Sequence, residues 1–445
     1  MRHRALAILI LGFTATTAQA ASFTPLGDLP GGNVFSKASG ISADGSVVVG
    51  EAGANGGVKA FRWTSVDGMQ ALEGLTGQAH AYAASADGSV IVGAVSTTGD
   101  AFRWTSATGM VSIGHLGGHL VAFANGVSAD GSVVVGESSN LQSSGSRAFR
   151  WTSATGMVAI SSGSSGASAV SADGSVIVGY YRPAVNQKEA AIWVDGSGPT
   201  GLGEFPGGLY SGEANAVSPD GTIVVGGSFS DSETSSNDAF TWTAGTGMVN
   251  IGDDRYETAR GVSADGSVIV GGDFTTPGQE ALIWTPDGPH NLVDVLIARG
   301  VSPAVLAGWS LEYATGVSAD GTTVVGHGIN PSGFTEAFVA NVVPDVDNDG
   351  AQDSADNCTE VSNPDQFDAD GEGYGNICDA DLNNSGLVTS ADYTILRNAL
   401  NTNDPIADLN HSGMVTSADF TILRNRLNTA PGPSGLSCAG TSPCP

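Results

Sequence analysis

The sequence predicts a mostly β protein whose larger part is a seven-bladed β-propeller. Three observations lead there. SADGSVVVG, starting at Ser42, recurs in related form from Ser85, Ser128, Ser171, Ser218, Ser263 and Ser318. Each copy is followed by AFRWT or a variant (AAIWV, AFTWT, ALIWT, AFVAN), and most of these by a Gly turn and MVSIG or a variant. The copies are spaced 43, 43, 43, 47, 45 and 55 residues apart, close to the ~40–45-residue period of a four-stranded propeller blade.

The elements follow in chain order. Residues 1–20 read as a secretory signal peptide: Arg2 and Arg4, a short apolar run from Ala5 to Phe13, and a small-x-small cleavage site at Ala18-Gln19-Ala20. That run is well short of a membrane-spanning helix, and no later stretch is long or apolar enough to be one. The expected location is extracellular, free or held at a cell surface. The propeller is expected over residues 21–343. In each repeat the residues before Asp-Gly form one strand, the turn is a hairpin signal, and SVVVG forms the second strand. AFRWT and MVSIG supply the third and fourth. The last copy reaches AFVAN at Ala337 and then lacks a fourth strand, whereas SFTPLGDLPGG from Ser22 looks like a fourth strand with no blade before it. The first segment is therefore expected to complete the last blade and close the ring, which removes two sheet edges.

The repeated residues read as structural. Asp44, Asp87, Asp130, Asp173, Asp220, Asp265 and Asp320 occur once per blade, as hairpin turns require, because Asp bonds nearby backbone groups. Trp63, Trp104, Trp151, Trp193, Trp242 and Trp284 are expected to pack between blades. Function is sought where the repeat varies: in the segments joining second and third strands, and in an insertion from His290 to Tyr313 whose LVDVLIARG suits a short helix. Tyr180, Tyr181, Arg182, Trp309 and Tyr313 are candidate contacts there. The seven histidines show no metal-ligand spacing, and no catalytic residue is assigned. This region resembles the extracellular repeats named after a His-Ala-Phe (HAF) motif, of which only the AFRWT-type strand survives here. The resemblance implies secretion and a β-repeat fold.

The net charge of -29 argues against nucleic acid as a partner, and much of the acid lies after Pro344. All four cysteines, Cys358, Cys378, Cys438 and Cys444, lie there too. An even count in an exported chain favours disulfides, with the pairing left open. Residues 344–380 form a calcium-type spacer. Asp345, Asp347, Asp349, Asp353 and Asp356 occupy positions 1, 3, 5, 9 and 12 of a loop with Gly350 at position 6. Asp368, Asp370, Glu372, Asn376 and Asp379 repeat this with Gly373 at position 6. Alternate side chains converge as oxygen ligands, and Gly permits the sharp turn, so the expected ion is Ca²⁺. The stretch resembles a thrombospondin type 3 repeat, down to Asp-Asn-Cys, Asn-Pro-Asp-Gln and the final Cys-Asp. That resemblance implies a chain wrapped around Ca²⁺ with little apolar core, in which Cys358 and Cys378 could bridge.

DLNNSGLVTSADYTILRNAL from Asp381 and DLNHSGMVTSADFTILRNRL from Asp408 differ at four of twenty positions. Loop positions 1, 3, 5, 9 and 12 are Asp381, Asn383, Ser385, Thr389 and Asp392, then Asp408, Asn410, Ser412, Thr416 and Asp419. Gly386 and Gly413 hold position 6. Each loop opens into a helix with an apolar stripe, Tyr393, Leu396 and Leu400, then Phe420, Leu423 and Leu427. No helix precedes either loop, so these are half EF-hands. The pair, residues 381–428 with a tail at 429–445, resembles a type I dockerin. The resemblance implies attachment to a cohesin module on a scaffold or cell surface. It assigns the contacts to Ser390, Ala391, Arg397 and Asn398, and to Ser417, Ala418, Arg424 and Asn425. Ser at position 5 and Ala at position 11 depart from the common pattern. Two functions stay in view: a non-catalytic propeller that binds a glycan or protein ligand, and a polysaccharide-degrading hydrolase or lyase delivered by its dockerin.

Overall fold

The computed structural model describes residues 21–342 except 141–144, 186, 195, 207, 209–210, 230–236, 254–255, 275–277 and 286–287; beyond these it describes 351, 356–436, 438–441 and 444. The signal peptide and the loop ligands Asp345, Asp347, Asp349 and Asp353 lie outside the described residues.

Seven four-stranded antiparallel sheets form the propeller. Blade 1 runs Gly31–Ile41, Val48–Ala54, Gly57–Thr64 and Gly68–Ala71, each strand paired with the next. The last blade takes its outer strand from the start of the chain. Ser22–Pro25 pairs with Thr335–Asn341, with Phe23 opposite Ala340, so the predicted closure is observed.

One turn, built seven times, organises the blades. In Ser42-Ala43-Asp44-Gly45 the Gly N–H donates to Ser42 O (3.0 Å) and Gly45 sits at φ +72°, a backbone conformation open to Gly. The Ser42 hydroxyl donates to Asp44 Oδ1 (2.5 Å) and accepts from the Val47 N–H (2.9 Å). All seven of these serines are buried. The residue after the Ser then reaches the neighbouring blade. Ala86 N–H donates to Ala129 O, Ala129 to Ala172 O, Ala172 to Pro219 O, Ala264 to Ala319 O, and Ala319 back to Ala43 O. Pro219 has no N–H to pass on, so the bond towards Ala264 is absent for a chemical reason.

The core lies between blades. Phe61, Phe102, Phe149, Phe240 and Phe338 are fully buried, one per AF pair. Trp193 and Trp284 are buried with them, while Trp63, Trp104, Trp151 and Trp242 pack partly buried against the inter-blade clusters, as expected. The insertion folds into α1 (Leu292–Ala298) and α2 (Pro303–Leu306), which bury Leu292, Leu296 and Leu306 against the last two blades. Trp309, a candidate contact residue, instead packs edge-on against Phe23 at 5.1 Å.

After the junction come α3 (Ser390–Ala399) and α4 (Ser417–Asn425). Their core joins Val388, Leu396, Ala399, Leu409, Val415 and Leu423. The expected apolar stripe is only partly used. Leu396 and Leu423 are buried, but Tyr393, Leu400 and Leu427 are exposed; Leu400 and Leu427 fall just past the ends of their helices. Cys358 pairs with Cys378 and Cys438 with Cys444.

Candidate functional site

The C-terminal loops turn their acids inward. Asp381 accepts from the Leu387 N–H (3.0 Å) and the Ser385 hydroxyl (3.2 Å), and Asp408 from the Gly413 N–H (2.6 Å) and Ser412 N–H (3.0 Å). Gly386 and Gly413 sit at φ +85° and +90°, as position 6 demands. Asp392 and Asp419 are fully buried. Each closes a capping box with Thr389 or Thr416, whose hydroxyl also takes the N–H two residues on. Asn383 donates its amide to Asp392, and the Asn410 N–H reaches Asp419 at 3.2 Å. In each loop the position-1 and position-12 carboxylates are thus buried, and the Ser385 and Ser412 hydroxyls donate to the position-7 carbonyls of Leu387 and Met414 at 3.2 Å.

In the spacer, Asp370, Glu372 and Asp379 bring carboxylate oxygens within 4.8 Å of one another. Burial and the neighbouring Glu372 carboxyl push Asp379 up to about 8, and burial pushes Asp370 and Glu372 up as well. Glu372 Oε1 is buried without a hydrogen-bond partner. Three crowded carboxylates, two of them buried, and an orphan oxygen fit a hard, oxygen-seeking cation such as Ca²⁺. Gly373 lies at φ +92°, and Asp368 accepts the Gly371 and Gly373 N–H groups at 2.8 Å. Asn376, expected as a ligand, is also bonded within the protein. Its Oδ1 accepts from the Ala369 N–H (2.8 Å) and its Nδ2 donates to Pro405 O (2.7 Å), tying the spacer to the second helical loop. Asp356 is fully buried; its Oδ1 accepts from the Cys358 N–H (2.8 Å) and Gln366 Nε2 (2.8 Å).

Spacer, loops and tail form one hydrogen-bonded unit. His411 stacks on Phe367 (3.6 Å) and bonds Asp365 through Nδ1. The tail returns across the spacer: the N–H groups of Gly432, Gly435, Gly440 and Cys444 donate to Cys378, Asp356, Glu372 and Gly371 carbonyls at 2.7–2.9 Å. Sequence reading missed this because the tail has little apolar content and its order comes from backbone bonds.

The expected contact residues lie on the outside. Ser390, Ala391, Arg397 and Asn398, and Ser417, Ala418, Arg424 and Asn425, are all exposed. Among the described residues their side chains form no ion pair. The two helices meet through Tyr393 and Phe420, 5.1 Å apart.

A second site was hidden inside the repeat. In every blade the first strand carries a bulge just after a buried Ala. The extra residue is Ser39, Tyr82, Asn125, Ser168, Asn215, Arg260 or Thr315. A bulge re-aims its unpaired side chain; six of these line one stretch of the propeller axis, and Thr315 lines the adjoining cavity. One step along, Lys37, Glu51, Glu213 and His327 join them. Glu51 pairs with His80, Glu213 with Lys188, and Tyr180 donates to Glu137 at 3.0 Å. Tyr313 stacks on His327 at 4.8 Å. The signal was available: these positions change from copy to copy while their neighbours repeat. Of the earlier candidates, Tyr313 touches the ring only through His327, and Tyr180 lies under the Lys188 ammonium (4.5 Å) that bonds Glu213, whereas the Tyr181 hydroxyl is bonded to Glu189 (2.9 Å).

Both parts of the chain are similar to known proteins. The larger part has a propeller fold similar to several solved structures. These include TolB from Acinetobacter baumannii (14% identity, TM-score 0.42, 56% of this chain and 63% of that one) and oligogalacturonate lyase from Vibrio parahaemolyticus (12%, 0.49, 73% and 98%). The β-propeller domain of the Trilobed protease from Pyrococcus furiosus is similar as well (13%, 0.47, 68% and 95%). The chain thus spans about 63% of the length of TolB. No curated protein matches the chain. The C-terminal part is more particular: residues 379–428 match the dockerin type I domain and residues 344–366 the thrombospondin type 3 repeat. No helix among the described residues is long and apolar enough to cross a membrane.

Proposed function

We propose that this is an exported, calcium-dependent docking protein: the dockerin attaches it to a cohesin-bearing scaffold or surface, and the propeller is a non-catalytic ligand-binding module. The observation that carries the reading is the pair of exposed helix faces. Ser390/Arg397 and Ser417/Arg424 repeat on two helices, face solvent and are not used by the fold. Ca²⁺ at the inward carboxylates would hold each loop and so the start of each helix. Cohesin capture by surface plasmon resonance, with Ca²⁺ and with chelator, tests the docking half. Binding indifferent to Ca²⁺, or none to a panel of cohesins, removes it.

One observation favours a second reading, a polysaccharide hydrolase or lyase. Glu51 and Glu213 are carboxylates at positions that vary between copies, and both line one mouth of the axis. A glycan array run beside a product screen on the mature chain separates the two. Retention without chain cleavage supports the binding module; new reducing ends or unsaturated products support the enzyme.

A further inference from the structure

The axial mouth carries more than a generic surface. A cavity of about 380 Å³ opens there, lined from six of the seven blades, with Lys37, Glu51, Glu213, Arg260 and His327 as its charged or titratable walls. Its two carboxylates are already engaged, Glu51 by His80 and Glu213 by Lys188. Burial pushes the Glu51 carboxyl up, but the His80 bond and the Lys37 charge outweigh it, so the group lies below its ordinary value and is ionised. The cations are not balanced in the same way. Among the described residues, neither Lys37 nor Arg260 forms an ion pair through its side chain. Both also sit close enough to His327 to act on it: burial first, then Lys37, and Arg260 too, push that imidazole down to about 4. His327 is therefore neutral at neutral pH, and its buried Nδ1 has no hydrogen-bond partner.

The floor is made of short neutral polar groups. Asn125 and Asn215 donate their amides to the next blade's Ala167 O (2.9 Å) and Ala259 O (2.8 Å), and Thr315 donates to Ala38 O (3.0 Å). Those bonds fix the side chains and leave the two amide oxygens and the Thr lone pairs as acceptors along the axis. Ser39 and Ser168 add hydroxyls. Two cations without a close ion-pair partner among the described residues, Lys37 with its head over Phe35 (5.7 Å) and Arg260 over Phe274 (5.8 Å), and a ring of fixed acceptors below suit a ligand that joins a carboxylate to several hydroxyls.

We propose that the axial mouth of the propeller binds a carboxylated sugar, a hexuronate unit of an acidic glycan. Arg260 and Lys37 take its carboxylate, and the Asn125, Asn215, Ser39, Ser168 and Thr315 floor takes its hydroxyls. This rests on the propeller being the ligand-engaging module. The cavity lies within the usual size for small-ligand sites, and a guanidinium matches a carboxylate in two parallel hydrogen bonds.

The test is titration calorimetry of the Ca²⁺-loaded full chain with glucuronate, galacturonate, glucose, galactose and acetate, with cohesin capture measured on the same sample. At least one uronate should bind about tenfold tighter than its neutral sugar and than acetate, and Arg260→Gln should weaken it by about tenfold or more. Lys37→Gln serves as a second variant, and unchanged melting curves confirm folding of both. Raising the salt from about 50 mM to about 500 mM should weaken the uronate and leave the neutral sugars unchanged. Equal affinity for neutral sugar and uronate, or an Arg260→Gln variant that binds as before, overturns the inference. No heat from any uronate with cohesin capture intact overturns it while leaving the docking reading standing.

Discussion

At the residue scale the propeller depends on a buried serine. Ser128 holds Asp130 at 2.8 Å and the Val133 N–H at 3.0 Å, and it is 1% exposed. Ser128→Ala leaves that buried N–H unpaired, so a loss of about 1–3 kcal/mol is expected in denaturant melts; an unchanged midpoint would show that water reaches the turn. The aspartates predict an acid response. The Ser89 backbone N–H holds Asp87 at about 2, and the Ser175 backbone N–H does the same for Asp173. A folded value below the unfolded one stabilises above the ordinary carboxylate range and is lost as pH falls through the folded value. Melting temperature should therefore fall between about pH 4 and pH 2, and Asp87→Asn with Asp173→Asn should flatten part of that fall. The sequence showed the Asp-Gly turn plainly. It did not show that Ser is its buried centre, because a serine beside a turn looks like any loop residue. The axial ring was missed for a related reason: periodicity draws the eye to what recurs, and the axial positions are marked only by failing to recur.

At the scale of elements the closing strand was legible from an imbalance, a fourth strand missing at Ala340 and one in excess at Ser22. The structure adds its energetics. Phe23, Leu26 and Leu29 are all buried, Phe23 against Trp309 and Phe338. The Gly27 N–H also bonds Glu336 (2.9 Å). Deleting residues 21–30 removes three large apolar side chains from the core, each worth about 1.5–3 kcal/mol, and exposes the edge of Thr335–Asn341. A marked drop in melting temperature and concentration-dependent association are expected; an unaltered melting curve would mean that the blade closes without this strand. The short helix α1 was also foreseen from LVDVLIARG. The second turn, α2, was not, since Ser302-Pro303 reads equally as a loop until Leu306 is seen to reach the core. In the helical pair, period alone overstated the buried face: Leu400 and Leu427 satisfy the spacing, yet they fall where each helix has ended.

At the scale of the whole molecule, calcium and duplication act together. Each dockerin loop offers two carboxylates among its predicted ligands, against three clustered in the spacer, and affinity follows ligand charge. Calorimetry should therefore resolve tighter spacer sites and weaker dockerin sites; equal affinities would contradict this. Because the tail and His411 fasten loops to spacer, chelation should loosen the entire C-terminal unit rather than one loop. The near-identity of the two loop-helix copies then has a specific consequence. The inward residues, Asp381 and Asp408, Leu396 and Leu423, repeat because each half must fold in the same way. The outward residues need not repeat for folding, yet Ser390 and Arg397 recur as Ser417 and Arg424, and all four are exposed. Two equivalent faces allow one partner surface to be met in two orientations, related by about half a turn. Changing Ser390 and Arg397 together should then weaken cohesin binding by only about twofold, the loss of one of two equal modes, and Ser417 with Arg424 should behave alike. Changing all four should abolish capture, because the contacts are alternatives and the losses do not add. Surface plasmon resonance with Ca²⁺ present measures each variant. If either two-residue variant alone removes binding, only one face is used, and the repetition of Ser390 and Arg397 belongs to the history of the duplication and not to recognition.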